Sequence, residues 1–106
     1  MKKLNTILLS AVIAFGMTAV SNVANACGKL VIAEQNWASA ELMANVDKII
    51  LEKGYGCSVE LVPGATMPTF TSMNDKGSPD MNPEQWANAV YTPLKKAVSE
   101  KRLIIA

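Results

Sequence analysis

There is no histidine anywhere in the chain. That absence removes His-based nucleophile triads, His general bases and His metal sites. A basic run of five or more residues is also missing, so neither nucleic acid nor an anionic membrane surface is indicated as a partner. The sequence has no clustered carboxylate pair and no glycine-rich phosphate loop, which argues against an enzyme. Cysteine is scarce, with only Cys27 and Cys57. Repeats, low-complexity segments and linkers are missing from residues 27–106.

What is present starts with an address. Lys2 and Lys3 form a positive start, Ile7 to Val20 an apolar run, and Ala24-Asn25-Ala26 a small-x-small pattern that a signal peptidase cuts after. The apolar run is shorter than the roughly 20 residues that span a bilayer, and no stop-transfer cluster follows it. Residues 1–26 are therefore expected to be a signal peptide cleaved after Ala26, with Cys27 as the first mature residue and a periplasmic destination. Lipid attachment to Cys27 is the weaker alternative, because the third position before the cysteine is Ala24 rather than a Leu-like residue. Without Lys2 and Lys3 the ten basic residues become eight against nine acidic, a net charge of −1. The remaining 80 residues suffice for one small core. They stop at RLIIA, which resembles a strand with nothing after it, so the chain is expected to be the front piece of a longer protein.

The apolar, β-prone run KLVIA (29–33) predicts a buried strand. A helix is expected from about Ser39 to Lys53, with Leu42, Met43, Val46, Ile49 and Ile50 on one stripe. Glu41, Asn45, Lys48 and Glu52 share the opposite face, and Leu51 lies off the stripe. Ser39 or Asn36 can cap its start and Gly54 its end. CSVELV (57–62) predicts a second strand ending at Pro63-Gly64. Strand, helix, strand is a βαβ unit with parallel strands and a right-handed crossover.

That unit gives the cysteines a geometric relation. Both stand where a strand opens, at the same edge of the sheet, and neighbouring strands lie about 4.8 Å apart, close to the separation that a disulfide needs. A Cys27–Cys57 bridge is the favoured reading, and two unpaired small hydrophobes the alternative. Beyond Gly64 a second helix is expected near Thr66, with Pro68 in its first turn and Phe70 and Met73 inward. NDKGSP (74–79) has the composition of a turn. PDMNPEQW (79–86) reads as an extended segment ending at Trp86, with a helix starting at Asn82-Pro83 as the alternative. Thr92-Pro93 predicts a further helix with Leu94, Ala97 and Val98 inward, and LIIA another strand.

On this map Trp37 and Trp86, the two tryptophans of the chain, each follow the carboxyl end of a strand. In open α/β sheets that end carries the ligand crevice. Filling a core gap is the competing role. The polar company of EQNW and PEQW favours the ligand side, and an indole face attracts cations, quaternary ammonium groups above all. Glu34 could add distant negative potential or be a solvated charge.

Here the residues carry a resemblance. CGKLVIAEQNWASAELMANVDKIILEKGYGCSVELVPGATMPTFTSM and PEQWANAVYTPL, behind a signal peptide, resemble the front of a periplasmic substrate-binding protein of the glycine betaine/choline type. Such proteins serve ABC importers of quaternary ammonium compounds. The resemblance implies two α/β lobes closing on a ligand whose trimethylammonium group is boxed by tryptophans, with residues 27–106 as part of the N-terminal lobe. It implies Trp86 as a cage residue, and Trp37 with the backbone around Asn36 as the first-strand loop lining the cleft. The implied partners are a quaternary ammonium osmolyte (glycine betaine, proline betaine or choline) and a membrane permease, for a monomer without cofactor or metal. A binding lobe for another small solute, such as an amino acid, stays open. A small secreted domain or enzyme acting alone is the reading from another class.

Overall fold

Two short apolar runs form the centre of the molecule because they can pair with each other and be covered on both faces. In the computed structural model, which describes residues 27–106, they are β1 (Lys29–Gln35) and β2 (Ser58–Gly64). The signal-peptide segment and the Ala26 cleavage site lie outside the described residues. The strands are parallel, in register from Lys29 opposite Ser58 to Gln35 opposite Gly64. The chain between them forms the helix α1, Ala38–Tyr55. Next come α2 (Thr66–Lys76), a 3₁₀ turn at Ala87–Val90 and α3 (Tyr91–Ser99). This α/β arrangement, a parallel βαβ lobe, is the fold class that the sequence indicates.

Alternation along the strands divides the side chains between two faces. Leu30, Ile32, Val59 and Leu61 pack with Ala44 and Leu51 of α1, and Cys57 and Met81 join the same cluster. Val31 and Val62 point to the other face, where they share a groove with Pro68, Thr69 and Ser72 of α2. Consecutive burial of Ile32 and Ala33 reflects cover on both sides, so the strands read as apolar runs rather than alternating ones. Gly64 comes close to Thr69 of α2. A Cβ there would stand 2.6 Å from the Thr69 hydroxyl and 3.3 Å from the Gln35 amide oxygen, so only glycine fits without a shift.

The face that α1 turns to the sheet differs from the expected one. Its buried residues are Ala40 and Ala44, with Leu51 partly buried beside them. The five-residue stripe lies outward: Leu42 is 65% exposed and Ile49 59%. Small side chains let the helix axis approach the sheet, and the polar neighbours then tie it to the strand edge. The Lys48 ammonium donates to the Val59 carbonyl at 2.6 Å and to Glu52 Oε1 at 2.6 Å, covering part of the open edge of β2.

The boundaries of α1 also move. Neither Asn36 nor Ser39 caps it; Trp37 is the capping residue, without a side-chain cap bond. Gly54 is helical, and Gly56, at φ 69°, provides the left-handed stop. Likewise Asn74–Lys76 complete α2, and the turn begins only at Gly77, φ 67°. Residues 103–106 form no strand, and Ile104 is 91% exposed. Apolar character alone makes no strand where no partner edge is in reach.

The third extended segment does pair, more briefly than expected. Met81 forms an isolated parallel bridge with Ile32, with the Ala33 N–H donating to the Met81 carbonyl at 2.8 Å. Asp80 completes it, since the Val31 N–H donates to its carboxylate at 2.7 Å. The chain has therefore moved to the far side of β1, so the order across the sheet is β2, β1, residue 81. In open α/β sheets ligands bind beyond the carboxyl ends of the strands, which here means past Gln35 and Met81.

The cysteines sit at the opposite edge. Cys27 and Cys57 are joined by a disulfide, with 4.9 Å between their Cα atoms. Cys57 is buried in the α1-side core while Cys27 is exposed.

Candidate functional site: two indoles on one carboxylate

Both tryptophans stand past carboxyl ends, Trp37 after β1 and Trp86 after the Met81 bridge. Trp37 stands two residues past Gln35, where a bond from its own N–H to the Gln35 carbonyl at 2.9 Å bends the chain into α1. Trp86 stands in the loop after Met81, just before the 3₁₀ turn. Their ring centroids are 5.7 Å apart with planes tilted by 56°, a distance at which aromatic pairs make edge-to-face contact. Trp37 is half-buried and Trp86 is 63% exposed. Neither lies among Leu42, Val46 and Ile50. Asn36 is exposed at the same junction.

A carboxylate that the sequence reading passed over joins the pair. Glu84 Oε1 accepts the Trp37 indole N–H at 2.9 Å and the Trp86 indole N–H at 3.4 Å. The Ser39 hydroxyl also stands near this carboxylate without completing a well-formed bond, and Glu84 Oε2 is buried with no partner. Glu34, the carboxylate that sequence reasoning did consider, is engaged elsewhere, accepting from Asn45 of α1 at 2.7 Å. The signal for Glu84 was available in PEQW, where it lies two residues before Trp86. Nothing in the sequence, however, showed that Trp37 would reach the same oxygen from 47 residues away.

The Ser39 hydroxyl, and after it the Trp37 indole N–H, hold the Glu84 carboxyl below the ordinary carboxylate range; partial burial opposes them and Trp86 adds less. Because the folded value is the lower one, the Glu84 contribution is fully present above the unfolded carboxylate range. It is lost as pH falls through the folded value. An acid titration followed by indole emission is expected to report the Glu84 transition below about 4.5, and the Glu84→Gln variant to lack it. A transition at or above 4.5 would contradict this assignment.

Chemically the arrangement offers aromatic faces and one negative charge set behind them. Since the centroids are 5.7 Å apart, one cation can lie within about 6 Å of both, the range of a cation–π contact. The described residues contain no cluster of three or more metal-ligating side chains.

The comparisons with known proteins agree with this architecture. No individual curated protein matches the sequence. Residues 28–106 match the OpuAC family model, described as the substrate binding domain of ABC-type glycine betaine transport system. The match takes in β1, β2, the Met81 bridge and both tryptophans, nearly everything the structure describes. The chain therefore belongs to the substrate-binding domains of ABC-type glycine betaine transport systems, which are binding components of importers rather than enzymes.

Proposed function

We propose that the chain captures a quaternary ammonium osmolyte (glycine betaine, proline betaine or choline) with Trp37 and Trp86 as one wall of an aromatic cage. Asn36 lines the cleft beside them, and a second lobe closes the cage. The observation that carries this reading is the indole pair itself: two tryptophans with ring centroids 5.7 Å apart, one of them 63% exposed. Leaving an indole face in water forgoes burial worth about 1.5–3 kcal/mol for a large apolar side chain, which is understandable where a ligand is to cover it. A quaternary ammonium group suits that surface because it has no N–H donors and needs no acceptor.

Family membership implies an extracytoplasmic binding component with a small-molecule ligand and a membrane permease as partner. We extend this to delivery into the periplasm by a cleaved signal peptide, residues 1–26, and action as a monomer. Mass spectrometry of the exported protein is expected to find Cys27 as its first residue; an intact Met1 or a lipid on Cys27 would contradict it. The binding reading is tested by titrating indole fluorescence with glycine betaine, choline and amino acids. Saturable change with the quaternary ammonium compounds supports it, and a response to amino acids alone would replace it with a lobe for another solute.

A further inference from the structure

We propose that Glu84 is the positioning residue of cation recognition: one oxygen fixes both indoles, and the carboxylate charge deepens the attraction of their faces for a cation. This rests on the aromatic reading above. Indole N–H is a donor with no acceptor capacity, so the polar contact that can fix a ring's rotation is an acceptor at its edge. Here a single oxygen serves two rings that arrive on different loops. The bond to Trp37 is the shorter and spans 47 residues, so Glu84 latches the loop after β1 to the loop after Met81. The angle between the rings is thereby set before any ligand arrives.

Orientation alone does not call for a carboxylate. A glutamine could offer its amide oxygen to the same two N–H groups. What the carboxylate adds is charge, kept at the cost of a buried Oε2 with no partner, an arrangement that is unfavourable for an anion. Charge-assisted donation draws electron density towards the ring faces and strengthens each hydrogen bond. Oε2 is buried and Oε1 is taken by the two indole N–H groups, so the influence of the carboxylate passes through the tryptophans.

The full chain and its Glu84→Gln and Glu84→Ala variants are compared by near-ultraviolet dichroism of the indole pair. Their binding of tetramethylammonium and of the neutral carbon analogue of choline is measured alongside. Glu84→Ala is expected to lose the coupled indole signal and to bind tetramethylammonium about tenfold more weakly or worse, within the scale of cation–π contacts. Glu84→Gln keeps the acceptor, so it should keep the indole signal. It should nevertheless bind tetramethylammonium roughly three- to fivefold more weakly, with the neutral analogue unaffected. Equal binding of tetramethylammonium by Glu84→Gln and the unaltered chain would overturn the role of charge. An unchanged indole signal in Glu84→Ala would overturn the positioning role. If the unaltered chain binds no tetramethylammonium, the cage reading falls. The dichroism then decides the positioning role alone, its loss in Glu84→Ala supporting that role and its retention overturning it.

Discussion

Replacing Cys27 with serine is expected to lower the free energy of unfolding by about 3–4 kcal/mol, the loop-entropy value for cysteines 30 residues apart. The bridge closes a loop that holds β1 and α1, from two residues before β1 to the residue before β2, so its loss releases that loop in the unfolded chain. Cys27 is the better position to alter because it is exposed, whereas Cys57 lies at 6% exposure against Ile32 and Val59. Changing Cys57 would mix loss of the bridge with damage to the core. The remaining Cys57 thiol is covered, which protects it from intermolecular oxidation. Denaturant unfolding under oxidising conditions checks the value, and equal midpoints for the two proteins would refute it. Ligand response should be nearly unchanged, since the bridge sits at the amino ends of the strands and the indoles beyond their carboxyl ends.

Replacing Trp86 with alanine is expected to do the reverse, leaving stability almost intact while removing about 1–2 kcal/mol or more of quaternary ammonium binding. An indole at 63% exposure contributes little to the core. Its loss also leaves the shorter Trp37–Glu84 bond in place, so the first ring keeps its support. Trp86→Phe should recover part of the affinity through a smaller aromatic face, without the N–H that Glu84 accepts. Calorimetric titration beside thermal unfolding separates the two effects. A large fall in stability with unchanged affinity would make Trp86 a structural residue and remove the main support for the cage.

The carboxyl ends of the strands, beyond which the indoles stand, and the amino ends, which carry the disulfide, thus divide the lobe's work. Stability comes from the bridge, the α1 contact through Ala40, Ala44 and Leu51, and the close approach of α2 at Gly64. The proposed recognition surface stands outside that set, on loops that the sheet order brings together. Residues there can change without unfolding the lobe.

The sequence by itself determined the elements and their direction. Apolar runs of strand length on either side of a helical stripe left parallel pairing as the one short-range arrangement, and the placement of both cysteines ahead of those runs followed from it. It also placed both tryptophans past strand ends, because chain order and strand direction suffice for that. It misjudged the face of α1, since five large apolar side chains dominate any periodicity while a helix lies closest to a sheet through its smallest ones, Ala40 and Ala44. It promised a strand at LIIA that only a neighbouring edge could have made. Tertiary structure alone decided which side of β1 the Met81 segment would join. It alone brought Trp37, Trp86 and Glu84 to a common oxygen, because an acceptor shared across 47 residues depends on how two loops meet in space, which no local pattern of residues encodes.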